Sequence, residues 1–209
     1  MRARESRVLR YKSYRSMPWR NGRGSTLEIA REPATGKEFA WRLSLADIER
    51  DTAFSAYPGY SRALVLIAGN SLRLRFRRHG HCMLDAAARG TRFEGDWQTH
   101  CMVPDGRCMD LSLIVRKGSA ARLASVVRAP AVLRLESTRR RVLPRDLYGA
   151  LFVLSGSVAV GNSTGAPTRT VHRQETLLLA PGPRRILTLR SLGESPAELV
   201  ILRWRPGSP

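Results

Sequence analysis

One stretch of this chain is written twice, and that repeat limits the possible folds more than any other feature. Ala63-Leu64-Val65-Leu66-Ile67-Ala68-Gly69-Asn70-Ser71-Leu72 aligns without a gap on Ala150-Leu151-Phe152-Val153-Leu154-Ser155-Gly156-Ser157-Val158-Ala159. Each copy reads as strand, glycine turn, strand. Gly69 and Gly156 would supply the positive-φ position that a tight hairpin connection requires. A second feature follows each copy, Thr91-Arg92-Phe93-Glu94-Gly95-Asp96 in the first half and the run from His172 to Gly182 in the second. The repeat therefore predicts two similar lobes, residues 1–118 and 119–209, divided near Gly118 to Pro130.

The rest of the chain agrees with a β architecture. Trp41-Arg42-Leu43-Ser44-Leu45 alternates with period two, which places Trp41, Leu43 and Leu45 on one face and Arg42 and Ser44 on the other. Further short apolar or alternating runs are read at 63–68, 71–76, 109–115, 131–135, 151–154, 176–179, 186–189 and 198–204. Many short strands separated by turn residues indicate a sandwich or barrel. Helix is scarce: 46–51 reads as a short helical turn or bulged loop, and 120–127 as one helical turn or another strand.

Composition narrows the function classes. At 209 residues and 43% apolar, the chain can bury a sizeable core. Its formal charge of +19 raises the question of a polyanionic partner. Three lysines accompany scattered arginines, with short clusters at Arg75/Arg77/Arg78, Arg139-Arg140-Arg141 and Arg184-Arg185, and no linear segment interleaves charge with aromatics. Nucleic acid is accordingly not favoured as a partner, and the arginines read as solvated strand faces. No membrane span or signal core is evident, so a cytoplasmic location is expected.

Cys82, Cys101 and Cys108 are odd in number and form no Cys-x-x-Cys pair, which argues against a disulfide framework or zinc ribbon. His79-Gly80-His81-Cys82 and His100-Cys101 bring soft ligands into one region, but at no common metal-site spacing. No metal and no other cofactor is expected, and no Gly-x-Ser-x-Gly elbow marks a nucleophile.

The segment Met17-Pro18-Trp19-Arg20-Asn21-Gly22-Arg23-Gly24-Ser25-Thr26-Leu27-Glu28-Ile29-Ala30 resembles the opening signature of the HutD/Ves family. The resemblance continues through 41–48, through Phe54-Ser55-Ala56-Tyr57-Pro58-Gly59-Tyr60-Ser61-Arg62, through 93–96 and through 109–116. It implies an all-β fold of two cupin-like β-barrel or sandwich lobes packed as a bicupin, and in some members a link to histidine utilisation or stress response. Three departures stand out: Arg23 interrupts a glycine-rich stretch, Ser61 replaces a common Asp, and Ser112 replaces a usual Asn.

Polar residues on strands supply the candidate site. Arg42 shares a face with Ser44, Asp110 shares one with Ser112, and Trp19 and Asn21 lie on the opening motif. If those faces point inward, Arg42, Asn21 and Arg62 clamp a carboxylate with arginine's planar fork, while Asp110 receives an amine or imidazole. The other reading pairs Arg42 with Asp110 in an internal salt bridge, with Trp19 as core. The expected ligand-binding set is thus Trp19, Asn21, Arg42, Ser44, Arg62, Asp110 and Ser112, for a small acidic metabolite held by an accessory or regulatory protein. A metal-independent or weakly metal-dependent isomerase or hydrolase acting on a small carboxylate is the alternative, and a homodimer formed through exposed strand edges stays open.

Overall fold

The computed structural model describes residues 6–19, 24–87, 89–118, 132–163 and 167–205. Apart from one 3-10 turn at Tyr11–Ser13, every regular element among them is a strand. In chain order these are β1 (Arg7–Leu9), β2 (Arg15–Pro18), β3 (Gly24–Glu32), β4 (Trp41–Ile48), β5 (Thr52–Ala53), β6 (Tyr60–Ala68), β7 (Leu72–Phe76), β8 (Gly80–Leu84), β9 (Gly90–Glu94), β10 (Thr99–Met102) and β11 (Cys108–Arg116). The second half adds β12 (Val132–Leu135), β13 (Arg139–Leu143), β14 (Tyr148–Ser155), β15 (Ser157–Gly161), β16 (Pro167–His172), β17 (Thr176–Leu179), β18 (Arg185–Ser191) and β19 (Ala197–Trp204).

Two compact units result, one of residues 14–118 and the other of residues 6–13 with 132–205. In the first, one sheet runs β9-β6-β11-β4 and continues through β3 to β2, while the second sheet runs β8-β7-β10-β5. The second unit has the same order strand for strand: β17-β14-β19-β12, extended by β1, and β16-β15-β18-β13. The path β4 to β11 is therefore run again as β12 to β19. Each unit is a double-sheet antiparallel barrel, the cupin architecture that the family resemblance implies.

The repeated glycines mark the same corner twice. Gly69 has φ of 91° and Gly156 of 73°, conformations that favour glycine. The connection is not the expected hairpin, however, because β6 and β7 lie in different sheets, as do β14 and β15. The glycine turn carries the chain across the barrel rather than back along its own sheet. Crowding adds to the constraint at Gly69, where a Cβ would lie 2.6 Å from that of Cys108. Two residues upstream of each glycine the ladder skips one residue, Ile67 opposite β11 and Leu154 opposite β19. The bulge is thus duplicated along with the turn.

Separate interiors fill the units. Leu64, Leu66, Leu72, Leu74, Phe76 and Phe93 lie in the first; Leu151, Val153, Val158, Val160, Leu177 and Leu199 lie in the second. Two readings of the sequence are corrected by the strand pairing. Residues 46–48 are not a helical turn but the end of β4, since the ladder with β11 persists to Ile48↔Cys108. Residues 7–9 do not belong to the N-terminal lobe: β1 pairs with β17 of the other unit. The segment 120–127 and the expected boundary after residue 118 fall outside the described residues. No helix among the described residues is long and apolar enough to cross a membrane.

Candidate functional site

Strand alternation and register assemble the site. Arg42, Ser44 and Ala46 of β4 share a face with Asp110, Ser112 and Ile114 of β11 and with Arg62, Leu64 and Leu66 of β6. Ala46, Leu64 and Leu66 pack in one cluster with Leu72, Leu74 and Phe76 of the opposing sheet, so this face is the barrel interior. The other face, carrying Trp41, Leu43, Leu45, Leu111 and Leu113, is also buried. Polar side chains are thus held inside the barrel, not turned to solvent. Ser112 lies across from Ser44, Asp110 sits between Ala46 and Leu66, and Ile114 separates Arg42 from Arg62.

These residues surround a cavity of about 430 Å³. Trp19, Arg42, Ser44, Arg62, Asp110 and Ser112 all line it; Asn21 lies outside the described residues. Thr26, Phe54, Ser55 and Tyr57 line it too and were not singled out from the sequence. The last three lie in the 54–62 block of the family signature, the one signal that pointed to them. Trp19 Nε1 donates to Thr26 Oγ1 at 2.8 Å, which fixes the indole at the cavity wall.

Five side-chain atoms at this cavity are buried without a protein partner. Arg42 donates one Nη2 hydrogen bond to the Tyr57 hydroxyl at 2.9 Å, and its guanidinium lies over the rings of Phe39 and Tyr57. Arg62 donates to the Ser55 carbonyl at 3.3 Å and is packed between Phe54 and Phe93, each ring centroid 4.9 Å away. Nε of both arginines, both carboxylate oxygens of Asp110 and Oγ of Ser112 are buried without a hydrogen-bond partner. The Arg42–Asp110 salt bridge offered as the alternative is therefore not formed. Asp110 is 1% exposed and Arg62 7%. Burial pushes the Asp110 carboxyl up to about 7 against the pull of Arg62, and it pushes the Arg62 guanidinium down to about 10 although Asp110 opposes this. Two guanidinium groups and one carboxyl whose ionisation burial disfavours make the cavity electropositive.

Comparison with known proteins shows what this architecture belongs to. The HutD family model matches residues 11–195. The chain belongs to the HutD family. It is similar to an uncharacterised 21.2 kDa protein in the hutC 3′ region of Pseudomonas putida, 39% identical over 111 residues that cover 51% of this chain and 56% of that one. The matched segment thus spans just over half of that relative's length. Protein Ves of Citrobacter koseri is 28% identical over 166 residues, 74% of this chain and 77% of Ves. Among solved structures, a conserved protein of unknown function from Pseudomonas aeruginosa PAO1 superposes with a TM-score of 0.81 at 30% identity, covering 96% of this chain and 99% of that one.

Within this HutD family chain, the duplicated topology provides its own control. Strand pairing makes Leu199 the counterpart of Asp110, Ile201 of Ser112 and Gly149 of Arg62. Leu199 is fully buried in an apolar core. The second barrel closes with Leu199, Ile201 and Gly149 at these positions, so the strand topology itself does not call for the polar set of the first unit.

The departures from the HutD/Ves pattern sort by position. Ser112 lines the cavity. Ser61 faces the opposite way and donates to Glu94 Oε2 at 3.2 Å, and Arg23 is outside the described residues. The His/Cys segments do not converge, because alternation splits them: Cys82 and Cys101 flank Leu74 on the inner face, while His81 and His100 flank Arg75 on the outer. Among the described residues no three His, Cys, Asp or Glu side chains are grouped to hold a metal ion.

Proposed function

We propose that this HutD family chain binds a small acidic metabolite in the cavity of its N-terminal barrel and serves as an accessory or regulatory protein. The family match and the relative named for its place in a hutC 3′ region fit a role linked to histidine utilisation. One observation carries the ligand class: Arg42 Nε, Arg62 Nε, both Asp110 oxygens and Ser112 Oγ are buried, unpartnered and gathered at one cavity. Each such group costs about 1–3 kcal/mol when left unpaired, and a bound ligand removes that cost.

The ligand's carboxylate meets the two guanidinium groups, whose planar forks match its geometry. Asp110 and Ser112 accept from an amine, amide or imidazole N–H elsewhere on the same molecule. Phe54, Tyr57 and Trp19 cover its apolar part, and the volume suits a compact metabolite.

The test is the thermal midpoint of the protein with histidine, urocanate, N-formylglutamate and simple dicarboxylates. A ligand at ~100 times its Kd adds about 2.7 kcal/mol, which is about 5–10 °C for a chain of this size. The expected result is a shift from at least one acid that disappears in a folded Arg62→Met variant. No shift from any acid, or a shift that survives Arg62→Met, removes this reading.

A further inference from the structure

The four-stranded sheet of the first unit turns a cationic face outward, away from the cavity. β7 alternates cleanly, with Leu72, Leu74 and Phe76 buried and Arg73 and Arg75 exposed. Register places His100 of β10 and His81 of β8 on either side of Arg75. Three basic side chains therefore form a row across three strands, one strand spacing of ~4.8 Å apart. The row continues at Arg77, whose Nη1 donates to the Gln98 side chain at 2.9 Å, and at Arg78.

Two grooves follow this face and meet at Arg77 and Gln98. One is lined by Arg75, His100 and Phe54, the other by Arg78, His79 and Trp97. Three of the chain's four histidines thus lie here. Among the described residues no carboxylate forms an ion pair with Arg73, Arg75, Arg77 or Arg78, and Asp96 is the acidic residue along the grooves. Beside Arg77 and Arg78, the His79 ring stacks on Trp97 at 4.1 Å and 10°, while Trp97 packs edge-on against Phe76. An anchored aromatic stack next to a cationic track is what sequence-tolerant single-strand binding requires, since every base offers a π-face and every nucleotide a phosphate. Phe76, the aromatic that lies between Arg75 and Arg77 in sequence, is buried; the stacking surface comes from the turn that brings Trp97 against His79.

We propose that this outer face binds single-stranded nucleic acid, with phosphates along the His81-Arg75-His100 row and on Arg77 and Arg78, and a base stacked on the His79/Trp97 pair. The outer face shares Ala53 and Phe54 with the wall of the interior cavity, but none of the basic residues assigned to the strand lines that cavity.

Anisotropy of a labelled oligothymidylate of about 12 nucleotides, titrated with the full chain, tests this. Neutralising about four phosphates predicts an affinity loss of about 50-fold between 50 and 200 mM salt. Arg75→Glu/Arg77→Glu lowers affinity at least tenfold, whereas Arg139→Glu/Arg141→Glu, the same charge change on the exposed β13 of the other unit, leaves it within about threefold. Trp97→Leu, checked for folding by its thermal midpoint, lowers affinity by about fivefold or more through lost stacking. Equal losses in the two double variants would mean that total charge alone is responsible and would overturn the assignment. Duplex DNA or polyglutamate binding as tightly as the single strand would overturn it as well.

Discussion

Replacing Asp110 by Asn stabilises the ligand-free protein at pH 8. In the folded chain burial holds this carboxyl at about 7 against its ordinary 3.8. Between those values the unfolded chain has released a proton that the folded chain retains. Folding then takes up a proton, so stability falls as pH rises, by roughly 1.4 kcal/mol per unit from about pH 4 to pH 7, and levels off above. The accumulated penalty is on the order of 4 kcal/mol, and Asn, which does not ionise, escapes it. Arg62 reduces the gain: its buried guanidinium is already held down to about 10, and without the carboxylate it loses its compensating charge. A net stabilisation of about 2 kcal/mol is therefore expected at pH 8, or ~4–8 °C in Tm. Urea unfolding of both proteins at pH 5, 6, 7 and 8 measures it, and the advantage of Asn should widen with pH. A variant less stable than the parent at pH 8, or a difference that does not change with pH, refutes the description of Asp110 as a carboxyl whose ionisation burial opposes.

Other expectations follow from the duplicated barrel and the thiols. Leu199→Asp, which places the carboxylate of the first barrel at its counterpart in the dry second one, should cost at least about 3 kcal/mol because no guanidinium accompanies it; denaturant titration showing less than about 1 kcal/mol would undo the comparison between barrels. Gly69→Ala should cost more than Gly156→Ala by about 1–3 kcal/mol, since both have positive φ but a Cβ at 69 meets Cys108 at 2.6 Å while one at 156 meets Ala197 at 3.2 Å; equal losses would show that the contact relaxes freely. Burial pushes the Cys108 thiol up to about 12 and raises that of Cys101 further, so iodoacetamide on the native protein at pH 8 should label the half-buried Cys82 first. Rapid labelling of Cys101, read by peptide mass spectrometry, would contradict this.

Local pattern made much of the fold legible. The period-two run at Trp41 to Leu45 and the paired glycine turns belong to that class, because alternation and positive φ are written residue by residue. The duplicated eight-strand path was legible only in outline. Gly69 and Gly156 signalled tight turns, but whether a turn folds a strand back on its own sheet or across a barrel depends on distant partners, here β11 and β10. The same holds for β1, a three-residue strand whose place on β17 nothing in Arg7 to Leu9 could reveal.

The candidate site divides along the same line. Arg42, Ser44, Asp110 and Ser112 stood out as polar groups on apolar strands, yet their orientation was undetermined until the opposing sheet made that face an interior. Tyr57 and Ser55 sit in a loop without periodicity; the family-signature block contains them, but their contacts with Arg42 and Arg62 are what give them a place in the site. The stack of His79 on Trp97 was likewise invisible, since it joins two turns far apart in sequence.

A crystal structure of the protein with the acid that raises its thermal midpoint most tests whether the first barrel is the proposed carboxylate-binding pocket. A ligand seated among Arg42, Arg62, Asp110 and Ser112, with its carboxylate on the guanidinium groups and an N–H on Asp110, is the predicted result. A ligand bound elsewhere, with the interior unchanged and Asp110 still unpartnered, would contradict it.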